Sequence, residues 1–290
     1  MRPHKVLLAL LYALAAAALA HYLSEGWAYY TTPLIERPHH PQFWSLKPGG
    51  TLGRAFGIVG ASLMTVMLLY SVRKRAKPLR KAGPLSVWLD FHIFCGVVGP
   101  LLVILHSSFK VQGLVALSFW SMIAVALSGV LGRYLYLQIP RTRAGDELTL
   151  AQVEDQRREL TRHLREDLQV PEEALRELDH IAQAGASPQA PLLLLLFRLP
   201  WSSAVLRWRL GAFRRRLHKE LRDAPRPVLR QVMRAVRQKA MLERRLVLWS
   251  RLQQLFHYWH VFHKPFAIVM YLFMVVHIAV ALLTGYGWRS

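Results

Sequence analysis

Five predominantly apolar runs punctuate the chain: Val6 to about Leu23, Leu52 to Val72, Trp88 to Phe109, Leu114 to Tyr136, and Trp259 to Tyr286. A helix of about 20 apolar residues crosses the hydrocarbon core of a bilayer. The pattern predicts an all-α integral membrane bundle of about five transmembrane helices. The first run follows a short basic start and resembles a secretory signal. It reaches spanning length, however, and is followed by His21, Tyr22 and Leu23 rather than a small-residue cleavage site, so a retained helix is expected. Residues 24–50 read as a loop rich in aromatics and proline at headgroup level. His39 and His40 within it read as solvated rather than ligating.

Between the fourth and fifth runs the pattern changes. Residues 139–256 carry 23 basic and 14 acidic residues, with helical rather than strand-like spacing. One helix is expected from Thr149 to about Leu168. Pro171, with Glu172 and Glu173 suited to a helix N-terminus, starts a second, and Pro227 starts a long basic helix toward Trp249. Ala184–Pro191 reads as a break. The run Leu192–Phe197, bounded by Pro191 and Pro200, is too short to span and reads as a core or interfacial segment. The expected organisation is residues 1–138 as four spans, 139–256 as a cytoplasmic helical insert, and 257–290 as the fifth span.

A formal net charge of +21 coexists with 53% hydrophobic residues, which requires apolar and charged stretches to be segregated. Nucleic-acid binding is the other reading of so basic a protein, but the long apolar runs favour lipid as the anionic neighbour. Arg73, Lys74, Arg75, Lys77, Arg80 and Lys81 follow the second run without an acidic residue. The positive-inside rule puts this loop, the N-terminus and the insert in the cytoplasm and the C-terminus in the periplasm of a bacterial inner membrane. The one cysteine, Cys95, excludes an intramolecular disulfide, a Cys-rich iron–sulfur centre and covalent C-x-x-C-H haem attachment.

The candidate chemistry lies in two histidine pairs, His92 with His106 and His263 with His277, each separated by fourteen positions. At about 100° per residue, fourteen steps return to within about 40° of the starting direction, and the rise is about 21 Å. Both rings of a pair therefore share one helix face within the membrane, where an ionisable group calls for a partner. The third and fifth spans run in the same direction. His92 with His263 and His106 with His277 thus form two levels, each suited to an iron porphyrin held between two imidazoles. Gly96 and Gly99 lie between the first pair on the same face, giving room either for a flat cofactor or for a neighbouring helix. Gly53, Gly57 and Gly60 share a face of the second span, and Ser121, Ser128 and Gly132 a face of the fourth. Arg133, near the cytoplasmic end of the fourth span, serves either a haem propionate or membrane anchoring.

The motifs H92-IFCGVVGPLLVIL-H106 and H263-KPFAIVMYLFMVV-H277 resemble those of two families. One is the cytochrome b subunit of quinol–cytochrome c oxidoreductases; the other is the ferric-reductase-like transmembrane domain. The resemblance covers roughly residues 52–137 and 257–286. It implies two non-covalent haem b groups with His92, His106, His263 and His277 as iron ligands, and electron transfer across the membrane. The large basic insert departs from both families, and neither a quinol-oxidation motif nor flavin and nicotinamide domains are evident. The expected partners are therefore redox subunits or soluble electron carriers, membrane lipid and, as a further candidate, a quinone. His260 could line a quinone pocket, contact a propionate or replace a ligand, with interfacial structure the default for it and for His257; Asp90 could relay protons near a quinone or serve only as a solvated cap. A non-redox scaffold whose basic insert binds a partner or anionic lipid is the alternative, but it leaves the repeated spacing unexplained. A metal-ion or proton transporter would call for more acidic residues within the spans.

Overall fold

The computed structural model of the chain describes residues 3–138, 148–183, 191–220 and 225–284, and every regular element among these residues is helical. The chain forms two compact units: Met1–Gly132 with Trp259–Ser290, and Arg133–Tyr258. The unit boundaries fall inside two long helices. The helices are α1 (Pro3–Glu25), α2 (Trp27–Thr31), α3 (Phe43–Leu46), α4 (Thr51–Val66), α5 (Leu69–Arg75), α6 (Leu85–Ser107), α7 (Gly113–Gln138), α8 (Leu150–Arg162), α9 (Glu172–Gln183), α10 (Leu192–Glu220), α11 (Arg226–Val247) and α12 (Trp249–Leu283).

Among the described residues, five helical stretches are long and apolar enough to cross a membrane: Pro3–Glu25, Phe43–Arg75, Leu85–Ser107, Val115–Gln138 and Trp249–Leu283. No residue of α1 is buried, and Leu7, Leu10 and Leu14 are at least half exposed, as suits side chains that meet lipid tails rather than a protein core. The α1 residues Leu8, Leu11, Tyr12 and Ala15 pack on Phe94, Cys95 and Val98 of α6.

The closest helix pair in the first unit is α4 with α6. Its seam is made of glycine. A methyl on Gly60 would lie 2.8 Å from Val103 and 3.0 Å from the Gly99 carbonyl oxygen, and one on Gly99 would lie 2.9 Å from Met64. Small residues at such a crossing let two backbones approach, which is how helices associate where lipid removes the hydrophobic driving force. The second span is not continuous, as its composition would suggest. It breaks at Met67 and Leu68 between α4 and α5. No glycine or proline marks this break in the sequence.

The 24–50 segment is more ordered than a loop. It contains α2, α3 and a 3₁₀ turn at Arg37–His39, gathered around the buried Arg37 guanidinium. Arg37 donates to the carbonyls of Thr32 (2.8 Å), Tyr30 (2.7 Å) and Ser108. Ser108 in turn donates through its hydroxyl to the Leu46 carbonyl (2.6 Å). These bonds fasten the segment over the C-terminal end of α6. His40 accepts a hydrogen bond at Nδ1 from the Gln42 backbone and packs on Tyr29, so it is structural rather than solvated.

In the second unit, Thr149 caps α8 in a reciprocal box with Gln152. A π-helical turn, His163–Asp167, follows, so the helix expected to reach Leu168 is regular only to Arg162. Leu164, Leu178, Leu206, Val232 and Val236 form the centre of the core. Two expectations are corrected. Leu192–Phe197 is not a separate short segment but the start of α10, which continues through Pro200. The helix of the fifth span begins at Trp249, ten positions before the apolar run itself. The break at Ala184–Pro191 lies almost wholly outside the described residues, as does the end of the fifth span beyond Thr284.

The charge-bearing centre of this unit is Lys239, which is 1% exposed and bonded to both Asp179 and Glu243; Arg157 also reaches Glu243 at 3.4 Å. Removing one member of a buried ion pair leaves the other desolvated, which costs about 3–5 kcal/mol. Lys239→Met in the full chain is expected to destabilise the unit toward the lower end of that range, since Asp179 is partly exposed. Faster amide hydrogen exchange across α8, α9 and α11, with the spans unchanged, is the measurement that checks it.

Candidate functional site

Three of the four paired histidines are oriented by a hydrogen bond at Nδ1. His92 Nδ1 lies 3.0 Å from the Met67 carbonyl oxygen, and His106 Nδ1 lies 2.8 Å from that of Gly53. A carbonyl only accepts, so in both rings Nδ1 is the donor, and in the neutral imidazole that leaves Nε2 with its lone pair. His263 Nδ1 lies 2.8 Å from the Ser128 hydroxyl oxygen, and that hydroxyl donates to the Val125 carbonyl at 2.9 Å. With its proton so committed, Ser128 accepts from His263, which places that ring in the same tautomer. This is the arrangement in which one ring nitrogen is anchored and the other is available to a metal.

The local structure explains each anchor. The break after α4 presents the Met67 carbonyl to His92, where a continuous helix would have directed it along its axis. Gly57 makes room for His106: a methyl there would sit 2.7 Å from Nδ1. On α7, Ser128, Gly129 and Gly132 form a shallow face that receives α12. Trp259 fills the notch at Gly132 and donates from Nε1 to the Ser128 carbonyl at 2.7 Å. Its ring centre lies 4.9 Å from that of His263.

The two levels differ. His106 and His277 meet, with ring centres 6.3 Å apart and planes at 62°. His263 turns onto α7, bonded to Ser128 and lying beside the Trp259 ring. Between the levels lies a cluster centred on the buried Met64, Met122 and Met270. The Tyr271 hydroxyl donates to the Met64 carbonyl and the Ser118 hydroxyl to that of Met270. Among the described residues, α12 meets α7 through Trp259 and His263 and meets the methionine cluster through Met270, Tyr271 and Met274.

The remaining sequence candidates fall elsewhere. Gly96 and Gly99 face α4: Gly99 meets Met64 and the Gly60 carbonyl, and Gly96 faces the Met67 sulfur. Of the two roles open to them, close helix packing is the one this geometry displays. Arg133 belongs to the second unit, with its guanidinium over the Tyr136 ring. His260 packs on Trp259 and His257 on Tyr258, while Asp90 is half-buried. Trp259 carries a packing role that sequence reasoning did not assign; the facing Gly132 was the available signal for it. Among the described residues, no group of three or more His, Cys, Asp or Glu side chains is placed to hold a metal ion.

The α7 face makes a contrast that can be tested. Gly132→Ala puts a methyl 2.2 Å from the Trp259 indole and is expected to lower stability by about 1–3 kcal/mol. Gly129→Ala meets His263 at an ordinary 4.0 Å and is expected to be neutral or slightly stabilising, because alanine suits a helix interior better than glycine. Thermal unfolding of the detergent-purified chain distinguishes the two. Compared with family models, curated proteins and solved structures, the chain matches none.

Proposed function

We propose that this chain is a di-haem b-type membrane cytochrome, the membrane subunit of a redox complex that carries electrons between the two faces of a bacterial inner membrane. The observation that carries the reading is the geometry of the imidazoles. Two rings bound through Nε2 to one metal ion at about 2 Å each hold their centres roughly 6 Å apart. His106 and His277 stand at 6.3 Å, and His106 has its Nδ1 anchored as a ligating ring requires. His92 and His263 supply two further anchored rings at the other level. The donor chemistry therefore fits haem iron at the second level, where two rings meet, and at the first through the Nε2 atoms that the Met67 and Ser128 anchors leave open.

Haem iron held between two histidines would supply one-electron chemistry rather than oxygen binding. The chain's own residues hold the ligands and exclude water. Met67, Gly53 and Ser128 fix ring orientation; Trp259 shields His263; and the segment held by Arg37 covers the end of α6 beside His106. The basic loop after α5 and the basic second unit favour the cytoplasmic side for both, by the positive-inside rule. Donor and acceptor are a membrane quinol, partner subunits or soluble carriers.

The test is a reduced-minus-oxidised spectrum with a pyridine haemochrome count on the detergent-purified chain. Two b-type haems per chain are expected, falling to about one in His106→Ala or His277→Ala. Ser128→Ala is expected to weaken haem retention at the first level by roughly 10–100-fold while sparing the second. A folded sample without haem sinks the reading and leaves the scaffold alternative.

A further inference from the structure

The second unit holds a cavity that the electron-transfer reading does not use. It is open to solvent, about 290 Å³ in volume, and lies between α8 with its π-helical turn, α9 and α11. Arg157, Arg158, Arg162 and Arg165 line it on one side, and Lys239 lines it from α11. Glu166, Asp179 and Glu243 are its carboxylates.

Two of those three carboxylates are committed to other partners, which leaves Glu166 facing the four arginines. Asp179 and Glu243 are both engaged by the buried Lys239, and Arg157 shares Glu243. Arg165 is paired with Glu172 at 2.9 Å. Arg158 reaches Asp155 only at 4.0 Å, with both side chains more than two-thirds exposed, a pair that water screens. Arg162 makes no ion pair among the described residues. Arg158 and Arg162 stand four positions apart, one helical turn, where like charges destabilise a helix unless something anionic lies between them. The π-helical turn, a feature concentrated at functional sites, carries Arg165 and Glu166 to the cavity.

We propose that this cavity binds a phosphate-bearing ligand, held chiefly by the Arg158 and Arg162 guanidinium groups above the Lys239 cluster. Planar guanidinium groups match phosphate oxygens two at a time. The volume sits at the lower bound for small-molecule sites, which suits a diphosphate or a lipid headgroup. An anionic phospholipid and a soluble phosphorylated compound present the same chemistry, so the experiment separates them.

The full chain in phosphatidylcholine nanodiscs is titrated calorimetrically with inorganic pyrophosphate. In parallel, native mass spectrometry counts phosphatidylglycerol bound to the detergent-purified chain. Each is repeated with Arg158→Gln/Arg162→Gln and with a control of equal charge change at exposed sites of α10 and α11, Arg209→Gln/Arg230→Gln. Roughly tenfold weaker pyrophosphate binding in the first variant, with the control within about twofold of the unmodified chain, supports a soluble ligand. The same contrast for phosphatidylglycerol alone supports a lipid headgroup. No binding of either probe, or equal weakening in both variants, overturns the proposal. The readout does not depend on haem content, so it survives failure of the haem reading.

Discussion

A polar ring inside an apolar bundle must satisfy its nitrogens, and in the first unit that requirement is met by the backbone of a neighbouring helix. His92 and His106 donate to carbonyls of Met67 and Gly53, at opposite ends of α4. Unpaired, each Nδ1–H would carry a desolvation penalty with no water to relieve it. The bonds are short enough to form only because α4 and α6 lie backbone to backbone at Gly60 and Gly99, and because Gly57 leaves space for the His106 ring. The glycine seam and the histidine anchors are one arrangement. Its consequence is directional: with Nδ1 turned to α4, Nε2 of each ring is left for something other than α4.

α12 meets this arrangement differently. It approaches α7 through Trp259 and His263, both fitted to the small face at Ser128, Gly129 and Gly132. Toward α6 it is joined by long side chains and by the meeting of His106 with His277. A methionine-rich cluster fills the space midway, where flexible unbranched side chains adapt to gaps that branched ones would not. The two levels are therefore unequal, one with rings already facing each other and one with a ring parked on a hydroxyl.

How far the sequence was legible follows from which signals are local. The five apolar runs, the Thr149 cap and the Pro171 start depend on length and nearest neighbours; each run overlaps a helical stretch long enough to span, and α8 and α9 start where the cap and the proline put them. The break at Met67 was not legible, because no residue there disfavours a helix; it is a tertiary feature that serves His92. Pro200 misled in the opposite sense, since its missing donor is tolerated within α10. Gly96 and Gly99 could be read for either a cofactor or a helix, and only the position of α4 decides between those geometries. The partners of the histidines, carbonyls and one hydroxyl, carry no sequence signature at all. The spacing that singled out the rings was visible, whereas what holds them was not.

The two units handle buried polarity in opposite ways. The second keeps its charge and compensates it, with Lys239 between two carboxylates in a setting where nearby water moderates the penalty. The first unit has rings that are neutral and hydrogen-bonded, the only form an apolar bundle accommodates without a counter-ion. A backbone carbonyl is not a base, so the proton on Nδ1 of His92 or His106 has no route onto its partner. Under the electron-transfer reading this matters: the ligands can accompany a one-electron change without exchanging protons through their anchors. A proton relay would need the opposite, with each ring bonded to a group that gives and takes protons. The Met67 and Gly53 carbonyls thus anchor the rings without offering a proton path, which is what the electron-transfer reading requires of them.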